Sequence, residues 1–542
     1  MSFLTIARTG TVRWMSAASL AVASLCCGAA EPESASASIE ARVGQVRNGE
    51  RARAAGQALA SAVVLPDFYE QREFQPAWTE QENVDALLRA VRDSALDGLN
   101  PHDYHQQALE QLAAAPGSPQ RDADLDLLAT DATLRLAYHL HYGKVDMRRI
   151  DANWNLRRDF DALITVVSAR AIEQALAQRR IGQALALMRP SQPMYEDLRS
   201  ALARYRAIDR SGGWQPLPPG RSIHPGASDL RLPALRERLV AETDLAQMPH
   251  DSDHVYDAQT EAAVRRFQER HGLKPDGIVG GRTLRTLNLS VRVKIDRLRL
   301  SLERARLLLR NLPERYVLVN VPAYRLYYTD GVARFATNVV VGKMVAKTPI
   351  FRAEISHLVI NPTWTVPPGI MQRDILPGLA KDPAYLEKKG LERVGRQIVQ
   401  KPGPNNALGR IKIMFPNPHL VYLHDTPLKG LFEAETRTFS SGCIRVQDVF
   451  DLAALLLADP QRWSKAQLLE AAGTGRTQTV NLRTPVPILL AYWTAAVRGD
   501  RTYFYEDIYG RDAAELKALD QPFSFPREDA RALGMARQPR GS

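Results

Sequence analysis

Apolar residues recur at helical spacing through the first part of the chain. Val84, Leu87, Leu88 and Val91 fall at i, i+3, i+4 and i+7, one face of a helix. Gly98 ends that helix, and Asn100-Pro101 punctuates the loop after it. A second helix is predicted over residues 125–142, stopping at Gly143. Together residues 61–215 read as an all-α scaffold. Gly212-Gly213 and the Pro-rich run 216–225 then mark a boundary. In the compact stretch 226–290, Val264, Phe267 and His271 share a helical face. Lys274-Pro275-Asp276-Gly277 forms a turn there, and Ile278, Val279, Leu284 and Leu287 supply more core.

After a predicted helix over 293–309 the period changes from 3.6 to 2. Val317, Val319 and Val321 alternate with Leu318 and Asn320. Strands are expected at 324–328, 335–341, 355–360, 411–415 and 420–424. Residues 367–407, with Pro, Gly and charged helix-like pieces, interrupt them as an inserted capping segment. Val449, Leu452, Ala453 and Leu456 share one face of a later helix. The pattern thus predicts a multidomain chain: an all-α scaffold, a small helical module and a mostly-β domain over 315–480. A C-terminal segment, 481–542, is expected to pack on the scaffold and the β-domain.

The N-terminus modifies this picture. Arg8 and Arg13 precede an apolar stretch from Trp14 to Cys27, and Gly28, Ala29 and Ala30 come next. Residues 1–30 therefore read as an export signal, with an uncleaved anchor as the alternative. A periplasm is the expected compartment. Residues 31–60, rich in Ala, Ser, Glu and Arg, read as a linker or a weak helix. The net charge of +11 raises nucleic acid as a partner. The basic residues are mostly scattered Arg interleaved with acids, so nucleic acid is excluded, and a mild attraction to an anionic cell-wall polymer fits better. His139 and His141 point to different sides of a helix and read as structural. No His, Cys or Glu spacing suggests a metal site, and no cofactor is expected.

The candidate chemistry lies at Cys443. The chain has three cysteines, and two of them, Cys26 and Cys27, fall in the signal. The mature protein would keep one thiol, in Ser440-Ser441-Gly442-Cys443-Ile444-Arg445. A nucleophilic thiol needs a base, a positive field and donors for an oxyanion. Amides near Gly442 and Cys443 are candidate donors. A position just before a helix N-terminus, with Arg445 nearby, would lower the thiol pKa. His424 is the candidate base, and Tyr422, two residues earlier on the same strand, faces the same side.

Two stretches resemble known families. Asp257-x-x-Thr260, Ala263-Val264-x-x-Phe267-Gln268, Gly272-Leu273, Asp276-Gly277-x-Val279-Gly280 and Thr283-Leu284-x-x-Leu287-Asn288 resemble the peptidoglycan-binding-domain-like family. Glycan contact by 226–290, or a bare spacer, is what that implies. His424, a gap of fifteen residues (425–439) and Ser440-Ser441-Gly442-Cys443-Ile444-Arg445 resemble the catalytic motif of the L,D-transpeptidase family. Ser441 stands where many members have His. Asn361-Pro362-x-Trp364-x-Val366-Pro367, Asp374-Ile375-Leu376-Pro377, Pro402-Gly403-Pro404-x-Asn406-Ala407-Leu408-Gly409, Gly98-Leu99-x-Pro101 and Tyr492-Trp493-Thr494-Ala495 look like a long, multidomain subgroup.

The resemblance implies acyl transfer between peptidoglycan stem peptides and a carbapenem-sensitive thiol. Cys443 would be the nucleophile and His424 the general acid and base. Gly442, Ser441, Ser440, Tyr422, Arg445 and Trp364 would serve oxyanion or substrate binding. A carbonyl of the 440–441 loop is expected to orient His424. The partners implied are a donor tetrapeptide and the side-chain amine of an acceptor diamino acid; protein partners are not revealed by the sequence. A carboxypeptidase or endopeptidase using water with the same pair is one alternative. A non-catalytic wall-binding scaffold is the other.

Overall fold

The computed structural model of the protein describes residues 34–61, 64–151, 154, 169–248, 254–310 and 312–522. The predicted signal, with Cys26 and Cys27, lies outside the described residues. So does the end of the C-terminal segment, beyond residue 522. Among the described residues no helix is long and apolar enough to cross a membrane.

The stretch read as a linker or weak helix contains a well-packed helix, α1 (Ala35–Arg47), capped by the Ser34 side chain. Ile39, Val43 and Val46, at i, i+4 and i+7, are buried within an otherwise Ala- and Ser-rich segment. Three apolar residues suffice because a neighbouring helix supplies the rest of the core. The scaffold continues with α2 (Gln81–Asp93) and α3 (Pro119–Tyr142). Ser118 caps α3, which is buried along almost its whole length. It is the central helix, and α1 and α2 pack on it. His139 lies inside this core with Nδ1 against the Tyr104 hydroxyl at 2.7 Å, a structural role. After α4 (Pro193–Arg210), the small module forms α5 (Leu232–Ala241), α6 (Ala258–Arg270) and α7 (Gly281–Leu287) around a separate core that includes Phe267, Val264 and Leu235.

Helix α8 (Val291–Leu308) joins the module to the β-domain and packs on α4. A buried ionic cluster ties the parts together. Lys294 of α8 bonds both carboxylate oxygens of Glu242 at 2.5 and 2.7 Å, with both side chains fully buried. Arg238 pairs with the same carboxylate at 2.7 Å, and Tyr205 of the scaffold donates its hydroxyl to it at 2.6 Å. Arg270 pairs with Asp244 and donates to the Thr502 carbonyl at 2.7 Å. Burial alone would raise the Glu242 pKa, but the Arg238, Lys294 and Arg270 charges hold it well below the usual carboxylate range.

The β-domain is built from β1 (Arg315–Asn320), β2 (Arg325–Asp330), β3 (Arg334–Gly342), β4 (Phe351–Ile360), β5 (Trp364–Thr365), β6 (Leu391–Val394), β7 (Gln397–Gln400), β8 (Ile411–Met414), β9 (Leu423–His424), β10 (Thr438–Ser440), β11 (Ile444–Val446) and β12 (Gln478–Ala491). Helix α9 (Val449–Leu457) lies between β11 and β12. The main sheet has the order β10-β3-β11-β9-β8-β4-β12-β1-β2, and a β2–β3 pairing closes it on itself. Closure removes the exposed edges that an open sheet would carry. Its interior residues, among them Val317, Ile413, Leu423, Ile444 and Ile488, belong to one continuous core with the scaffold.

Two strand expectations change. The strand expected at 420–424 shortens to β9, because Leu420 takes a positive φ of 55°. Strand β12 straddles the expected boundary at residue 480 and occupies the middle of the sheet between β4 and β1. Pro485 and Pro487 hide it from a propensity reading, since Pro removes a ladder donor. A register break between Asn481 and Val486 accommodates them. Beyond β12, the hairpin β13 (Ala495–Arg498) and β14 (Arg501–Phe504) leads to α10 (Asp512–Leu519). This end packs on α8, where Arg304 bonds Glu515 at 2.6 Å and Asp512 at 2.7 Å.

The segment 367–407 forms a cap on the sheet. It has its own small core of Val366, Ile375, Leu391 and Ile398, with Trp364 and Tyr385 packed against it. Strands β5, β7 and β6 form its three-stranded sheet in that order.

Candidate active site

Strand register assembles the site. Strands β9 and β11 run parallel, with His424 opposite Arg445 and Leu423 opposite Ile444. Strand β8 pairs with β9 on the other side, with Lys412 opposite His424. Directly opposed residues share a face, and so do residues two apart on one strand. The sequences Tyr422-x-His424 and Cys443-x-Arg445 therefore put four side chains on the same face, and Lys412 joins them. The alternate residues Leu423, Ile444, Ile413 and Val446 point into the core and are fully buried.

Cys443 is half-buried, and its thiol is the free one. Sγ donates to the Leu420 carbonyl at 3.8 Å. The backbone N–H and the hydroxyl of Tyr422 also hydrogen-bond to Sγ. The Tyr422 hydroxyl in turn bonds the Trp364 side chain, reaching from β5 of the cap. The Tyr422 ring meets the His424 ring edge-on, with centroids 5.7 Å apart. Among the described residues no hydrogen bond runs directly from Sγ to His424; Tyr422 touches both.

Three expectations about this loop change. Cys443 does not precede a helix N-terminus, because Ile444-Arg445-Val446 forms β11 and α9 starts only at Val449. Without that field, burial pushes the thiol pKa up, against smaller lowering effects from Tyr422, Lys412 and Arg445. The Gly442 amide is not free for an oxyanion: it donates to Ser440 Oγ at 3.1 Å, while Ser440 Oγ donates to the Cys443 carbonyl at 2.5 Å. Gly442 itself has a φ of 113°, a conformation that only glycine adopts readily. Finally, His424 is oriented by the Asp425 carbonyl, 2.5 Å from Nδ1, and not by the 440–441 loop. Asp425 is itself fixed: its carboxylate bonds Lys429 Nζ at 2.5 Å and the Arg410 amide at 2.9 Å.

The electrostatics arise from burial. His424 is buried, and its pKa is pushed down to about 3 by desolvation and by the Arg445 and Lys412 charges. Its imidazole is therefore neutral at ordinary pH. Lys412 lies over the Tyr422 ring at 4.0 Å. Burial lowers its pKa and that of Arg445, while Cys443 opposes this in each case. Neither cation has an acidic partner among the described residues, and Arg445 Nε is buried without a hydrogen bond.

Sequence reasoning missed four residues here. Lys412 was detectable as the lone charge in the apolar alternation Ile411-x-Ile413. Arg373 of the cap donates to Ser441 Oγ at 2.8 Å, filling the place beside Cys443 with a contact from another segment. Thr348 Oγ1 donates to the Gly442 carbonyl at 2.9 Å. Tyr509 donates its hydroxyl to the Gly342 carbonyl at 2.6 Å and accepts the Thr348 amide at 3.1 Å. These three depend on long-range packing and leave no local signal. Among the described residues, no group of three or more His, Cys, Asp or Glu is placed to hold a metal ion.

Family models match three stretches of the chain. They are a scaffold domain over residues 64–202, a "Putative peptidoglycan binding domain" over 234–287 and an L,D-transpeptidase catalytic domain over 314–488. A curated relative, "Putative L,D-transpeptidase" of Haemophilus influenzae, is 31% identical over 217 residues. That match covers 36% of this chain and 44% of the relative, so it spans less than half the relative's length. A crystal structure of the L,D-transpeptidase (residues 123–326) from Xylanimonas cellulosilytica is 15% identical, covering 51% of this chain and 99% of that one, with a TM-score of 0.16. The catalytic-domain match spans β1 to β12 and includes Cys443, His424, Lys412 and Arg445. A scaffold-domain match and a peptidoglycan-binding-domain match thus lie ahead of residues 314–488, which match an L,D-transpeptidase catalytic domain.

Proposed function

We propose that this protein forms 3→3 cross-links in peptidoglycan through a Cys443 thioester, on the periplasmic side of the envelope. The observation that supports this best is the parallel pairing of β9 with β11. It sets a thiol, a neutral imidazole, a tyrosine hydroxyl and two cations without acidic partners on one face of the sheet.

Both reacting groups are neutral at rest, so the first step couples proton transfer to attack. As Sγ attacks the carbonyl of the third residue of a donor tetrapeptide, the thiol proton passes to His424, whose ring lies edge-on to that of Tyr422. The negative charge that develops on the carbonyl oxygen is favoured by Lys412 and Arg445, which have no competing carboxylate. Collapse breaks the peptide bond, and His424 returns its proton to the amine of the departing D-alanine. The amine of a second stem then attacks the thioester. His424 takes its proton, and the thiol is restored. The cap, through Trp364 and Arg373, would cover the donor and limit water.

The test uses purified protein with disaccharide-tetrapeptides and mass spectrometry of the products. Cross-linked dimers with release of D-alanine are expected. Shortened stems alone would replace the transferase reading by a carboxypeptidase. Meropenem should give a one-to-one covalent adduct that disappears completely in Cys443→Ala. An unreactive wild-type thiol would overturn the mechanism.

A further inference from the structure

A sizeable cavity lies away from Cys443. A cleft of about 440 Å³ lies between the peptidoglycan-binding module, the sheet and the β13–β14 hairpin. A second cavity of about 190 Å³ adjoins it, sharing His271, Leu273, Arg282 and Glu506. None of Cys443, His424, Tyr422 or Lys412 lines either one. Their combined lining holds seven Lys or Arg side chains against four carboxylates.

The smaller cavity is the more cationic of the two. Three guanidiniums face it, from Arg282, Arg285 and Arg297, with Glu506 as its single acid. Arg282 is already neutralised, bonding Glu435 and Glu506 at 2.8 Å each. Glu506 is thereby engaged. Arg285 and Arg297 have no hydrogen bond or ion pair among the described residues. Arg297, on α8, is also half-buried, and burial depresses its pKa against the more distant Asp512, Asp507 and Glu506. By contrast, the fully buried guanidiniums of Arg304 and Arg306 are paired, with Glu515 and Glu303. A half-buried cation without a counter-ion costs stability unless a ligand returns it. A guanidinium pair selects a planar, bidentate anion, which a carboxylate supplies.

We propose that this interdomain cleft binds a carboxylate of a peptidoglycan stem peptide through Arg285 and Arg297, at a site separate from the nucleophile. The inference rests on the reading of the protein as a peptidoglycan enzyme. The cavity with Arg285 and Arg297 lies between the binding module, α8 and the β13–β14 hairpin, and the larger cleft beside it reaches the catalytic sheet. Arg437 of the larger cleft is followed directly by β10, which leads into the Ser440–Cys443 loop. A stem held there would be a neighbour of the one being acylated and would keep the enzyme on the wall between reactions.

The test is co-sedimentation of the full chain, carrying Cys443→Ala, with purified sacculi. Adding Arg285→Gln and Arg297→Gln together should weaken binding about tenfold, the loss of one charge-assisted carboxylate contact. Sacculi whose carboxylates are amidated with carbodiimide and an amine should bind the parent protein as weakly as untreated sacculi bind the double variant. Sacculi stripped of stem peptides should do the same. Equal binding by parent and variant, or undiminished binding to amidated or stripped sacculi, would overturn the proposal. If the double variant melts early, Arg285→Gln alone is the deciding protein, since Arg285 is exposed. Adduct formation by meropenem, with Cys443 restored, should be unchanged in both variants. Failure of that reaction in wild type strikes the proposed chemistry and leaves the sedimentation result intact.

Discussion

The Glu242 cluster and the Cys443 corner both bury charge, and they do it in opposite ways. Around Glu242, buried Lys294, Arg238 and the Tyr205 hydroxyl converge on one carboxylate, joining the scaffold, the module and α8. Around Cys443, Lys412 and Arg445 flank a neutral imidazole and a neutral thiol, with no acid among the described residues to satisfy them. Complete pairing suits a joint, because removing either partner leaves a buried charge alone. Incomplete pairing suits chemistry, because the field is free to act on a charge that appears only during reaction.

Four variants put this contrast at risk. The largest effect should come from His424→Ala, slowing acylation of Cys443 by about 10²–10⁴-fold. Burst-phase mass spectrometry with meropenem reads that rate directly, and near-normal rates would mean that another group takes the thiol proton. Next, Glu242→Ala should cost about 3–5 kcal/mol of stability by stranding Lys294. Thermal melting measures this, while acylation per folded molecule should be unaffected. The pH sign comes from the depressed Glu242 pKa. Its contribution is full above the ordinary carboxylate value of about 4.3 and is lost as pH falls through the lower folded-state value. A melting temperature that holds steady on acidification would count against the pairing.

Lys412→Met should have the third-largest effect. In wild type the acylation rate should climb into the alkaline range, tracking the raised thiol pKa, with no step near 6.5 because His424 stays neutral down to about 3. Loss of the Lys412 charge should move that climb about one pH unit further up, making the variant roughly tenfold slower at neutral pH. An unchanged profile would show that the cation does not act on sulfur. The smallest effect, about two- to fivefold on kcat with KM preserved, is expected for Tyr509→Phe, which removes one hydrogen bond from the Gly342–Thr348–Gly442 brace.

What was legible in the sequence was whatever neighbouring residues decide. The switch from 3.6 to 2 in apolar period located the β-domain, and the loop Ser440–Cys443 with His424 pointed at the corner where the two side chains share a face. Longer-range packing was less visible. Lys412 faces His424 only because β8 and β9 pair in one register, and β9 is two residues long. The expectation of a helix start at Cys443 could have been resisted, since Ile444-x-Val446 is itself a β-branched alternation. Helix α1 was underrated because so few of its residues are apolar, and β12 because of its two prolines.

The place of β12 bears on when the sheet can close. This strand is the last of the main sheet in chain order, yet it lies at the centre, between β4 and β1. A chain synthesised from its N-terminus has Cys443 and His424 well before it has residues 478–491. Until those arrive, β4 and β1 present open edges at the two ends of a sheet that cannot close. The face that carries Cys443, His424 and Lys412 therefore belongs to an open sheet until residues 478–491 close it.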